Sequence, residues 1–205
     1  MMKKTLAIVL AMVLVLGMSA FAAETPSAWA AGEIGSVYPE MFKSMQIELD
    51  YQRPITRAEF AMLAFSVYKD VNGGLPQIQA QDVFDDIGAE TVDMFVPMAA
   101  AVGIVRGVSA SEFLPRNPIT RQELCTMLTR IFAQLDTAYA ADAEAAAGTT
   151  SKFDDAAVVA DWAKPAVEYC IYKGIIKGVS ETELSPLSNV SVEQAMVMCN
   201  RIVTK

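Results

Sequence analysis

The sequence predicts an all-α protein: three helix-loop-helix repeats packed as a pseudo-threefold bundle around three central capped helices. Three observations carry this prediction. A seven-residue stretch recurs as Pro54-Ile55-Thr56-Arg57-Ala58-Glu59-Phe60, as Pro118-Ile119-Thr120-Arg121-Gln122-Glu123-Leu124 and, degraded, as Asn189-Val190-Ser191-Val192-Glu193-Gln194-Ala195. Each copy opens an apolar segment of helical length. Gly103-Ile104-Val105-Arg106-Gly107-Val108 returns as Gly174-Ile175-Ile176-Lys177-Gly178-Val179, and from these glycines onward the second and third units align at a constant offset of 71. One repeat of about fifty residues cannot bury both faces of its apolar helix, whereas three can pack their capped helices on a shared axis.

The elements follow in order. Lys3 and Lys4, the apolar run from Leu6 to Leu16 and Ala20-Phe21-Ala22 read as a signal peptide over residues 1–22, with a retained anchor as the alternative. No second apolar run follows, so no membrane span is expected after its cleavage. The first repeat covers residues 27–75. Trp29 to Val37 carries a helical stripe that Pro39 ends or turns, and Met41 to Leu49 forms one short helix. Tyr51 to Pro54 is extended, because the residue before proline avoids the helical region. The first capped helix, Arg57 to Tyr68, is apolar nearly all round and therefore central, and Asn72-Gly73-Gly74 stops it. The second repeat covers 83–136: Phe84-Asp85-Asp86, a helix from Thr91 to Val102, the Gly103 turn, and the capped helix Arg121 to Leu135. Residues 137–151 form an Ala-rich linker, with a frayed helix as the alternative. The third repeat covers 152–205: Phe153-Asp154-Asp155, a helix from Asp161 to Tyr172 with Pro165 in its first turn, and the capped helix Val192 to Val203.

Most of the recurring motif belongs to folding. Thr-x-x-Glu is a capping box, in which the Thr hydroxyl accepts from the N3 amide and the Glu reaches back to the Thr amide. Ser191 and Gln194 keep that logic. Ile55 with Phe60, Ile119 with Leu124 and Val190 with Ala195 form hydrophobic staples. Each cap stabilises its helix by roughly 1 kcal/mol. The arginine at N1 has no such account, since a cation is mildly unfavourable at a helix N-terminus. A helix N-terminus plus Arg is instead a ready site for an anion. Arg57 and Arg121 are the candidates, with a solvated or carboxylate-paired Arg as the plainer alternative.

Composition narrows the function classes. Removing residues 1–22 takes two lysines and no acids, so the formal charge goes from −8 to −10. That balance argues against nucleic acid, which needs a basic face. Cys125, Cys170 and Cys199 cannot form a closed disulfide set and read as small buried hydrophobes. The chain has no histidine, which removes the commonest general base and metal ligand. No metal or cofactor is implied. The pairs Asp85-Asp86 and Asp154-Asp155 could serve glycoside hydrolysis, but their repetition favours loop turns and N-caps, and the chain reads as non-catalytic.

Phe-Asp-Asp, a helix with Trp-Ala, Gly-Ile-Ile-Lys-Gly-Val, Leu-x-Pro and Ile-Thr-Arg-Ala-Glu together resemble the S-layer homology module, in three tandem copies over residues 27 to 205. The resemblance implies a secreted protein at the cell wall or cell surface. It further implies that the protein binds an anionic secondary cell-wall polymer, commonly a pyruvylated polysaccharide, in inter-repeat grooves. Carried onto this chain, the ligand-contacting arginines are Arg57 and Arg121, with Thr56, Glu59, Thr120 and Glu123 shaping the helix starts. Trp29 and Trp162 either add a sugar-stacking face or, the preferred reading, anchor the first helix of each repeat in the core. The third copy has Val192 in place of the arginine and Gln194 in place of Glu, so its groove is expected to be weak or silent. Val-Ser after Gly107 and Gly178, where the family often has an aromatic and Asp-Gly, removes polar contacts expected from that loop. The alternative function is a self-assembling or partner-binding surface scaffold. The lack of an additional domain to serve as cargo favours it.

Overall fold

The structure, a computed structural model, describes residues 25–79 and 83–204. The expected signal peptide lies outside the described residues. Among those described, seven α-helices form and no strand. They are α1 (Val37–Ser44), α2 (Arg57–Val71), α3 (Phe95–Ala101), α4 (Arg121–Leu135), α5 (Tyr139–Ala146), α6 (Lys164–Tyr172) and α7 (Val192–Val203). None of the described helices is long and apolar enough to cross a membrane.

The three motif copies start α2, α4 and α7. Glu59 accepts the Thr56 amide at 2.9 Å, Glu123 the Thr120 amide at 2.8 Å and Gln194 the Ser191 amide at 3.3 Å. The stapling residues Ile55, Ile119 and Val190 are buried. Their backbones also bond to one another. Ile55 N–H donates to Val190, Val190 to Ile119, and Ile119 to Ile55, at 2.9, 3.0 and 3.2 Å, which closes a ring. The next two amides of each helix donate across the same junctions: Arg57 and Ala58 to Asn117 and Pro115, Arg121 and Gln122 to Ser188 and Pro186, Val192 and Glu193 to Arg53 and Tyr51. The three helix starts therefore satisfy their orphan donors mainly with carbonyls of the loop that precedes another copy.

Every side chain from Arg57 to Tyr68 is buried, which makes α2 central as its all-round apolar pattern requires. Each capped helix packs on the opening segment of the following repeat: α2 on α3, α4 on α6, and α7 on residues 27–35 through Asn200 Nδ2 to Glu33 O at 3.0 Å.

The loops leading to the caps are braced by the Phe-Asp-Asp segments. Asp86 accepts the Phe113 and Leu114 amides at 2.9 and 2.7 Å, and Asp155 accepts those of Leu184 and Ser185 at 2.9 and 2.7 Å. Of the two roles expected, these acids take the first: they hold loop turns, and neither caps a helix through its side chain. Their amide partners Leu114 and Ser185 have φ of 59° and 53°, a left-handed conformation that needs such support. Gly107 and Gly178 admit no side chain. A Cβ at Gly107 would lie 2.5 Å from two backbone oxygens and 2.6 Å from the Phe84 ring.

Two other expectations change. Residues 28–33 form turns, and Pro39 lies inside the first turn of α1. A proline there removes only an amide that had no helical partner, so it opens the helix instead of ending one. Residues 137–151 take the helical alternative instead of the linker: α5 packs on α4 and α6. Tyr139 meets the Tyr169 ring at 4.9 Å, and Lys173 pairs with Asp142 at 2.8 Å. Alanines hide this, because they pack closely while leaving no apolar stripe to read. All three cysteines are buried and free, as expected.

Candidate functional site

Each motif copy is divided between two grooves. The N1 side chain of one capped helix and the N3 side chain of the next face the same cleft. Arg57 thus meets Glu123 at 3.3 Å, and Arg121 shares its cleft with Gln194. The first groove, about 320 Å³, is lined by Arg57, Arg106, Glu123, Arg130 and Trp162. The second, about 410 Å³, is lined by Arg121, Lys177, Gln194, Arg201, Trp29 and Glu33. Arg106 corresponds to Lys177 and Arg130 to Arg201 at the 71-residue offset. Both grooves therefore hold three cations against one carboxylate, in a chain of formal charge −8.

The motif arginines are buried at the groove floor, at 5% and 6% exposure. Arg57 Nε donates to Phe113 O at 2.8 Å and Nη2 to Arg106 O at 3.3 Å, while its guanidinium lies 4.7 Å from the centre of the Phe113 ring. Arg121 Nη2 donates to Lys177 O. These bonds tie each helix start to the neighbouring glycine turn. The arginine does have a role in folding, contrary to the sequence argument. Arg121 Nε is buried with no hydrogen-bond partner. Arg130 and Arg201, in the third turn of their helices, are less buried. Each donates one Nη1 hydrogen bond, to Ile104 O and Ile175 O respectively, both at 3.1 Å.

Burial pushes the pKa of Arg57, Arg121 and Arg130 down. Crowding by like charge adds to this, from Arg106 and Arg57 at Arg130 and from Arg201 at Arg121. All remain protonated at neutral pH. A partly desolvated, self-repelling set of guanidinium groups is stabilised by an incoming anion, which can also be held bidentately.

The tryptophans are not core anchors. Trp29 is 51% and Trp162 59% exposed at the rims, and the alanines beside them, Ala30 and Ala163, take the buried positions instead. Val108 and Val179 add apolar wall to the two grooves.

A third groove, about 490 Å³, carries the opposite sign, with Glu48, Glu59, Glu90 and Arg116 on its walls beside Thr56 and Thr91. At the positions of its siblings' motif arginine, second arginine and tryptophan it has Val192, Ser66 and Thr91. Val192 is fully buried, and Arg53 holds Glu59 at 2.6 Å.

The eight sequence-nominated residues thus separate. Arg57, Glu123 and Trp162 meet in the first groove, Arg121 and Trp29 in the second, Thr56 and Glu59 in the third, and Thr120 lines none of these three. Helix amides are no part of a site, because the first three of α2 and α7, and the first two of α4, are already bonded within the protein. Sequence reasoning missed Arg106, Arg130, Lys177 and Arg201, although the 71-residue offset already pairs them.

Residues 95–125 and 152–196 match the S-layer homology domain. The chain is also similar to the Surface-layer 125 kDa protein of Lysinibacillus sphaericus, with 29% identity over 157 residues. That match covers 74% of this chain and 12% of the relative's length. Both similarities point to a protein associated with the cell surface.

Proposed function

We propose that the chain is a non-catalytic, exported anchoring unit of three S-layer homology modules, and that its two cationic grooves hold an anionic cell-wall polymer. The observation that carries this reading is the pair of register-matched grooves, each with three cations and one exposed tryptophan, on an otherwise acidic chain. A pyruvylated glycan fits the chemistry. Its carboxylate accepts the guanidinium fork, and its sugar ring stacks on the tryptophan face. The third groove, with its carboxylates, repels such a ligand. The cationic side chains provide the recognition, without the helix amides.

The test is sedimentation with purified cell wall before and after removal of the secondary polymer. Retention should depend on the polymer and should fall by about tenfold or more when Arg130→Ala is combined with Arg201→Ala. Undiminished binding to stripped peptidoglycan would sink the polymer reading. Unchanged retention of the double variant would shift it toward a scaffold that binds other surface proteins.

A further inference from the structure

The two cationic grooves differ in where their built-in carboxylate sits. In the first, Glu123 Oε1 faces Arg57 Nη1 at 3.3 Å, so each nitrogen of the floor arginine already donates one hydrogen bond, one of them to a carboxylate. In the second, the matching residue is the neutral Gln194, whose Oε1 accepts the Ser191 amide. Arg121 has no ion-pair partner among the described residues, and its buried Nε has no hydrogen-bond partner. The second groove's carboxylate, Glu33, is held at the rim by Arg201 at 2.6 Å, and its side chain is 41% exposed.

Resting on the functional reading above, we propose that the Arg121 groove is the principal anion site and that Gln194 is the residue that makes it so. An incoming carboxylate meets, at the floor of that groove, a guanidinium whose charge no carboxylate of the described residues balances. In the Arg57 groove it must first compete with Glu123, which the Thr120 amide and hydroxyl hold in place at 2.8 and 2.6 Å. The single change from Glu to Gln in the third motif copy removes the competitor without removing the cap. Wear in that copy thus silences the groove that would need an arginine at Val192 and opens the neighbouring groove.

The substitutions that test this are already present in the other copies, so the fold tolerates them. Gln194→Glu recreates the capping box of α2 and α4, and Glu123→Gln copies that of α7. Binding is measured by calorimetry with a methyl glycoside bearing a 4,6-linked pyruvate ketal, and in parallel by sedimentation with polymer-bearing wall. Gln194→Glu should weaken binding by about tenfold, the scale of one charge-assisted contact, while Glu123→Gln should leave it equal or tighter. Thermal melts should show Gln194→Glu at least as stable as the parent. Parent protein that binds wall while Gln194→Glu binds equally well overturns the proposal and leaves the functional reading standing. Parent protein retained by neither probe overturns the functional reading, and the proposal with it.

Discussion

The N1 arginines illustrate how one side chain serves two ends. Arg57 is buried, stacked on Phe113 and bonded to two carbonyls of the neighbouring loop. Arg57→Ala should therefore destabilise the protein by about 2–4 kcal/mol, read from urea unfolding, because it leaves buried acceptors unpaired. Lost wall binding in that variant would not report recognition alone. Arg130 and Arg201 are the cleaner probes of recognition, being less buried than either N1 arginine. The capping Thr and Glu were legible from their spacing. The burial of the arginine was not, because its partners are 49 and 56 residues away. For Trp29 and Trp162 the sequence favours the core over a sugar-stacking face. Only the packing shows that the adjacent alanines take those positions.

At the scale of elements, the braced loops are the sensitive points. Gly107→Ala should cost about 2–4 kcal/mol, since its Cβ would collide with backbone oxygens that cannot move independently. Ser185→Gly should stabilise the protein by several tenths to about 1 kcal/mol, because glycine adopts the left-handed conformation without strain. Both are checked by thermal melts. Burial raises the pKa of Asp86, but the amides of Phe113 and Leu114 outweigh it and hold the carboxyl below its ordinary value. Its contribution to stability is therefore complete above the unfolded pKa and is lost as the pH falls through the folded one. Asp86→Asn should be less stable than the parent at neutral pH, and the gap should close on acidification below about pH 4. The capped helices were readable from staple, cap and apolar run. Helix α5 was one of two open readings, because a run of alanines carries no periodic signal to choose between helix and linker.

For the whole molecule, the ring of Ile55, Ile119 and Val190 makes the three helix starts interdependent. A chain ending at residue 150 would leave the Ile55 amide without Val190 and would strip Arg121 and Gln122 of the carbonyls they donate to. It would also uncover the face of α4 that packs on α6. Residues 25–150 alone should accordingly lack a cooperative unfolding transition by circular dichroism, whereas the full chain should unfold in one step. The grooves have the same origin. Each combines an N1 residue, a glycine turn, the next capped helix and the opening segment of a further repeat.

The repeat, its caps, the all-α class and the identity of the N1 cations were all present in local spacing, because helix starts are short-range constructions of a few side chains and amides. Which side chains share a groove was decided by how the repeats pack. That arrangement joins Arg57 to Glu123 and Arg121 to Gln194 across repeats, so the motif that reads as one unit in the chain is divided between two clefts in space. The sign of each groove follows from that division. Linear order could show that the third copy had lost its arginine, but not that its glutamine lies beside the arginine of the second.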